Sequence, residues 1–579
     1  MNTRRFSGLL SKTPLLKTFV ATVLMAASVA ASAADRTTIP PRKDYASAAA
    51  ALQRFIEHEL QDKQLPAISV SLVDGNEIVW ARGFGFADPE RKIPATADTV
   101  YRIGSVSKLF TDIGIMQMVE QGQIDLDAPV QTYLPDFKPA NQFSKPITLR
   151  QLMSHRSGLL REPGVGHYFD PTEPTLADTV RSINGYPLLY EPETRVKYSN
   201  AGIAVVGYTL EYMNRQPFAK YLKQAVLKPL GLQSSAFEPE PAITDRLAKA
   251  YMWTYTGKVF EAPTFQLGMA PAGSMYSTVT DLGRFVIALL NGGRGLNGPI
   301  LKADTLNKMW APQFAQGGSR NFGIGFILGN IDGHRVVGHG GAIYGFATEV
   351  ELMPEEKLGA VAVTTMDAAN GVSVRIANEA LRLMLAVKAG KPLPAIETTQ
   401  AIPADVVHKL AGHYGEGNSA LDLIERNGGL YAMRVRGGYE LRLRQLGDVL
   451  VVDDRIGYGT KISVVDGGIK VGDEVLKRTS PAKSTPIPEE WKGLLGEYGW
   501  DHDVLFILER EGRLISLIEW FEYQSLEQVS KDVFLYPARG LYDNEKFVFT
   551  RDAEGTATQV QVGGVVFKRR TPKDWRRDP

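Results

Sequence analysis

The stretch spanning residues 99–121, TVYRIGSVSKLFTDIGIMQMVEQ, decides how the chain is read. It opens with a β-like run, Val100-Tyr101-Arg102-Ile103, and breaks at Gly104. Leu109, Phe110, Ile113, Met116, Met118 and Val119 then recur at helical spacing. Ser105 therefore stands at the start of a helix, with Lys108 three residues on. At that spacing both side chains share one face, close enough for an amine to take a proton from a hydroxyl. The helix N-terminus adds unpaired N–H groups that favour negative charge beside the same serine. Alone, S-x-x-K is a weak pattern, and a Ser ahead of an amphipathic helix is commonly only an N-cap. Its meaning depends on what lies downstream.

Two further segments supply the complement. Tyr198-Ser199-Asn200 precedes a helix expected over 202–213. It offers a phenol, able to shuttle a proton if neighbouring cations depress its pKa, and an amide suited to a substrate carbonyl. His339-Gly340-Gly341-Ala342 is expected just before a strand over 347–353. Two glycines there let a backbone approach a substrate, leaving the Ala342 N–H to complete an oxyanion hole with that of Ser105.

S-x-x-K, then Y-x-N, then H-x-G in that order resembles the penicillin-recognising serine hydrolases. These are the class C β-lactamases, the DD-peptidases, and the serine peptidases with D-aminopeptidases and related esterases. The flanking text agrees: Tyr101-Arg102-Ile103-Gly104-Ser105, the run ITLRQLMSHRSGL at 147–159, and Pro271-Ala272-Gly273-Ser274-Met275-Tyr276-Ser277. The resemblance covers residues 45–386. It implies a β-lactamase-like α/β sandwich, with an antiparallel sheet flanked by helices plus a helical subdomain. It also implies Ser105 as nucleophile and Lys108 with Tyr198 managing its proton, the base being unassigned between them. His339 fills the third motif, the N–H groups of Ser105 and Ala342 hold the oxyanion, and Asn200, Gly340 and Gly341 bind substrate. No cofactor and no metal are implied.

Many β-lactamases and DD-peptidases carry Lys where this chain has His339. A lysine is positive at neutral pH and suits a substrate carboxylate, whereas histidine, with an unperturbed pKa of ~6.5, is mostly neutral. His is the pattern of the D-aminopeptidase and esterase-like members. The expected activity is hydrolysis of small peptide, amide or ester substrates through an acyl-enzyme. The alternatives are a β-lactamase, a DD-carboxypeptidase, or a penicillin-binding sensor that acylates without turnover. The chain has no G-x-S-x-G, which argues against an α/β-hydrolase. The remaining histidines lack metal-ligand spacing, and His155 is expected to hold its helix end.

The chain has 579 residues, too many for one core, and its 44% hydrophobic and 22% charged content is that of a globular protein. Residues 1–33 read as a signal peptide: Arg4, Arg5, Lys12 and Lys17, an apolar run over 19–30, and Ala31-Ser32-Ala33 as cleavage site. That run is short of the ~20 residues that span a bilayer. Its removal takes the net charge from +1 to −3, which does not suggest nucleic acid as a partner. The expected location is periplasmic or secreted. The absence of Cys excludes disulfides and thiol chemistry.

The expected domains are a β-lactamase-like unit over 34–388, a Pro- and Ala-rich linker over 389–404, and two small β-barrels (lipocalin-like) over 405–480 and 487–571. The barrels are read from an internal repeat. Ala411-Gly412-His413-Tyr414-Gly415 recurs as Leu495-Gly496-Glu497-Tyr498-Gly499 at an offset of 84, but Lys477-Arg478 recurs as Lys568-Arg569 at 91. The second copy therefore has extra residues between Leu514 and Val562, among them Trp520, Phe521, Tyr523, Phe534, Tyr536 and Tyr542. Those residues belong either to a loop that reaches the cleft or to an ordinary barrel core. Neither barrel carries any of the three motifs, so a role in specificity without chemistry is expected.

Overall fold

The alternating run 67–85 forms the hairpin β1 (Ala67–Asp74) and β2 (Glu77–Asp88), turning at Gly75 with φ +61°. The computed structural model describes residues 38–314, 321–481, 486–519 and 521–571. The expected signal peptide and Trp520 lie outside the described residues. Ahead of the hairpin runs α1 (Ala46–Asp62), and after it come β3 (Ile93–Pro94) and α2 (Ser107–Glu120). Next come α3 (Leu149–Met153), α4 (Asn200–Asn214) and α5 (Val279–Leu290). The unit closes with β4 (Asn321–Phe322), β5 (Ile327–Ile331), β6 (His334–Ile343), β7 (Phe346–Met353), β8 (Leu358–Thr364) and α6 (Asn370–Lys388).

Among the described residues these strands make one eight-stranded sheet in the order β3-β2-β1-β8-β7-β6-β5-β4. The two ends of the unit meet at its centre, where Ile68 faces Thr364 in the antiparallel pair β1–β8. One face is covered by α1 and α6, whose Leu52, Phe55, Ile376 and Leu381 pack on Val70, Leu72, Ala360 and Ala362. The other carries α5 and the helical body around α2. Helix α2 is buried almost all round, which explains an apolar pattern wider than one stripe. This is the β-lactamase-like α/β fold.

The motif His339-Gly340-Gly341-Ala342 precedes a strand, β7, as expected, and it also lies inside one, β6. Two glycines weaken strand propensity, but β6 keeps its partner β7 throughout, with His339 opposite Val350 and Ala342 opposite Ala347. Its pairing to β5 stops at Gly338. From His339 onward β6 therefore has one free edge, and that edge faces Ser105.

Beyond α6, among the described residues, eight strands from Gly412–Tyr414 to Glu474–Thr479 close into a barrel. Two five-stranded sheets follow around one core of Leu505, Leu514, Phe534, Phe547 and Phe567. One of them takes its edge strand, Gly437–Tyr439, from the preceding unit. The repeat is visible atom by atom. Tyr414 donates to the Leu410 carbonyl and Tyr498 to that of Leu494, both at 2.7 Å. Arg478 donates to the carbonyls of Lys409 and Ala411, and Arg569 to those of Gly493 and Leu495. The copies differ where the offset changed. The connection 536–545 has ten residues, and its counterpart 454–457 has four. Val504, Phe506 and Leu517 of the second copy join the apolar core around α2. Among the described residues no helix is long and apolar enough to cross a membrane.

Candidate active site

Ser105 sits in a one-turn 3-10 helix, Gly104–Val106, that leads into α2. Ser107 fixes the turn by donating to the Gly104 carbonyl at 2.6 Å and accepting from Met275 N–H at 3.1 Å. Lys108 is 1% exposed. Its Nζ lies 2.9 Å from Ser105 Oγ and 2.7 Å from the Ala272 carbonyl oxygen, so the Pro271-Ala272-Gly273 stretch supports the lysine directly. Burial pulls the Lys108 pKa below its ordinary value, against an opposing pull from Tyr198. A neutral amine at this distance can accept the Ser105 proton, which a permanently charged one cannot.

Tyr198 is presented at the N-terminus of α4, where Ser199 caps the helix by accepting from Gly202 N–H at 2.8 Å. Its ring lies 5.0 Å from Lys108 Nζ, 5.6 Å from the Arg161 guanidinium carbon and 6.3 Å from the His339 ring. His155 lies against it, with ring centroids 4.1 Å apart, and accepts from Ser199 N–H at 3.2 Å. Burial holds the His155 pKa well below the usual range, so the ring is neutral. His155 was expected to hold the end of its own helix; its ring and carbonyl instead brace residues 197–199, the segment that carries Tyr198.

The oxyanion side depends on two missing side chains. A Cβ at Gly341 would lie 2.0 Å from the Ile103 carbonyl oxygen, and one at Gly104 (φ +53°) would lie 2.7 Å from the Ala342 nitrogen. Only glycine at both positions lets the free edge of β6 close on the Ser105 turn. Asn370 anchors that edge by donating to the Gly341 carbonyl at 2.9 Å. The structure thus brings together Ser105, Lys108, Tyr198, His339, Gly340, Gly341 and Ala342. Asn200 is present too, with one amide hydrogen given to Glu162 at 2.7 Å. His339 is buried, its Nδ1 2.5 Å from the Gly340 carbonyl oxygen.

Several residues at the site carry no motif and were not singled out in the sequence. Arg161 and Glu162 pair at 3.2 Å beside Tyr198. Burial works against the charge of Arg161, but Glu162 and Glu519 outweigh it and raise its pKa. Glu519, from the turn after the strand Arg513–Ile518, accepts from Tyr542 at 2.6 Å. Glu545 accepts from Lys197 and from the Arg161 N–H, both at 2.8 Å. The one sequence signal for this group was the change of repeat offset, which marks the connection that carries Tyr542 and Glu545.

Comparison with known proteins bears on the family and the fold. A family model described as β-lactamase matches residues 52–383, more than half of the chain. "Beta-lactamase-like protein 2" of Dictyostelium discoideum is 30% identical over 325 residues, 53% of this chain and 57% of that protein. The match therefore spans under two thirds of that relative's length. A penicillin-binding protein homologue from Pyrococcus abyssi, titled as octameric, shares the fold at TM-score 0.55 and 22% identity, over 82% of this chain and 98% of that one. EstCE1, titled a hydrolase with promiscuous acyltransferase activity, is 25% identical at TM-score 0.51, over 57% of this chain and 98% of its own.

Proposed function

Since the chain belongs to the β-lactamase family of serine hydrolases, we propose that it cleaves small peptide, amide or ester substrates through an acyl-enzyme on Ser105. The observation that carries this is the buried Lys108 amine, 2.9 Å from Ser105 Oγ and with its pKa lowered by burial. Ser105 Oγ attacks the substrate carbonyl carbon and passes its proton to Lys108 Nζ. The N–H groups of Ser105 and Ala342 receive the developing oxyanion. Tyr198, within reach of the same amine, returns a proton to the leaving group. Water then attacks the ester on Ser105 by the reverse route and releases the acid.

The substrate class follows from charge. The third motif presents His339 in place of a lysine. The guanidinium nearest Tyr198, Arg161, is already matched by Glu162 and Glu519. This site offers little to a substrate carboxylate and more to a neutral or amine-bearing group, as in aminoacyl amides and esters. The likeness to EstCE1, titled a hydrolase with promiscuous acyltransferase activity, supports transfer of an acyl group through the serine. A D-aminopeptidase- or esterase-like hydrolase is therefore favoured over a β-lactamase or DD-carboxypeptidase. The basic and apolar pattern of residues 1–33 supports export to the periplasm or beyond.

The test compares the purified enzyme with Ser105→Ala on p-nitrophenyl acetate, D- and L-alanine p-nitroanilides and a fluorescent penicillin. Turnover of ester or amide that vanishes in the variant supports the reading. A penicillin label stable for hours, with no turnover of any ester or amide, favours the sensor.

A further inference from the structure

The connection 536–545 sends two carboxylates, Asp543 and Glu545, across to the segment that carries Tyr198. Asp543 accepts from the Tyr190 hydroxyl and from Arg195, each at 2.6 Å. Glu545 goes deeper. Its Oε1 receives the Lys197 ammonium and the Arg161 N–H, and Lys197 and Glu545 are each 1% exposed. Room for the carboxylate is made at Gly563 (φ +54°), where a Cβ would lie 2.0 Å from Glu545 Oε2.

These contacts form a closed ring around one residue. Glu545 binds Lys197, and Lys197 leads through Tyr198 and Ser199 to Asn200. The N–H groups of Asn200 and Ala201 donate to the Arg161 carbonyl at 2.8 and 3.0 Å. The Arg161 N–H returns to Glu545. His155 closes the opposite side, its carbonyl accepting from Lys197 N–H at 2.8 Å and its ring nitrogen from Ser199 N–H. The backbone of Tyr198 is thus held between two supports, and the outer one comes from residue 545. A fully buried ion pair adds little to stability, because desolvating both charges offsets their attraction. What it does supply is fixed geometry.

We propose that Glu545 is a positioning residue for Tyr198, so that the C-terminal β-unit is a working part of the reaction apparatus rather than an appendage that shapes specificity. The proposal rests on the role assigned to Tyr198 under Proposed function. Displacement of a reacting group by about 1 Å costs on the order of 100-fold in rate, and the ring of contacts is what prevents that displacement.

The test uses the full chain and p-nitrophenyl acetate, with kcat, KM and melting temperature measured for Glu545→Gln, Glu545→Ala, Tyr198→Phe and Tyr198→Phe/Glu545→Ala. Glu489→Gln, exposed and paired only with Lys492 among the ion pairs of the described residues, serves as the charge control. The expected result is a folded Glu545→Gln with kcat reduced about 10- to 100-fold and KM changed less than about threefold. Because Glu545 acts through Tyr198, the double variant should be no slower than Tyr198→Phe alone. A slow Tyr198→Phe beside an unchanged Glu545→Gln overturns this proposal and leaves the mechanism standing. Additive losses in the double variant also overturn it. A Tyr198→Phe enzyme with full rate overturns the tyrosine's role, and this proposal with it. If Glu545→Ala does not fold, the isosteric Glu545→Gln decides the matter.

Discussion

Lys108 Nζ lies 2.7 Å from the Ala272 carbonyl oxygen while reaching Ser105 Oγ at 2.9 Å. The amine is held from behind by a carbonyl that cannot take its role, and its working direction is toward the serine. Since the neutral amine is the base, kcat/KM should rise with pH through the folded pKa of Lys108. Burial places that rise below 10.5, the ordinary lysine value. Lys108→Arg keeps the charge but cannot deprotonate, and should lose about 100- to 10,000-fold in kcat/KM at neutral pH. A pH–rate profile with p-nitrophenyl acetate checks both points.

The free edge of β6 gives the second prediction. Gly341→Ala would drive a methyl into the Ile103 carbonyl and push the Ala342 N–H away from Ser105. Loss of one oxyanion donor costs about 100- to 1,000-fold in kcat. The variant should keep its fold and its Ser105–Lys108 pair, and so still react slowly with a fluorophosphonate probe. Wild-type kcat in Gly341→Ala would remove Ala342 from the oxyanion hole.

Asp112, one turn beyond Lys108 on α2, is fully buried, and neither carboxylate oxygen has a hydrogen-bond partner among the described residues. Burial raises its pKa well above 3.8, only partly countered by Lys108. The unfolded chain therefore releases this proton first. Native stability falls as pH rises from the unfolded value toward the folded one. Asp112→Asn removes that dependence. The melting temperature of the variant relative to wild type should climb between about pH 4 and about pH 7. A flat difference across that range would show the carboxyl to be ionised or hydrated in the native state.

The three motifs were legible because each is local. Ser105 and Lys108 share one helical turn, Tyr198 and Asn200 share one helix start, and the two glycines of the third motif sit on one strand. The duplicated Tyr414 and Tyr498 anchors were readable for the same reason. The run of β6 through the glycines was not, because pairing with β7 decided it and propensity did not. Glu545 and Glu519 could not be identified either. Glu545 meets Lys197 across 348 residues of sequence, and no spacing rule links such distant positions. The repeat offset marks where the extra residues lie but not which of them reach the site. The carboxylates of the 536–545 connection reach the Tyr198 segment, while Tyr536 and Tyr542 pack in the core of the two five-stranded sheets, Tyr542 with its ring 5.5 Å from the Arg161 guanidinium carbon.

The same contacts bear on a chain ended at Lys391. It would lose the cover that Val504, Phe506 and Leu517 give the core around α2, together with the carboxylate partner of Lys197. The shortened chain should therefore aggregate or melt far below the full chain, which size-exclusion chromatography and circular dichroism would show. A monomeric, cooperatively melting product that acylates at the wild-type rate would make the C-terminal units dispensable.

Peptide mass mapping after acid quench of a slow ester tests whether Ser105 carries the acyl group. An acyl adduct is expected on the peptide containing Ser105, formed and lost at the turnover rate and missing from Ser105→Ala together with activity. Undiminished turnover in Ser105→Ala, or an adduct on any other residue that forms at the turnover rate, would contradict it.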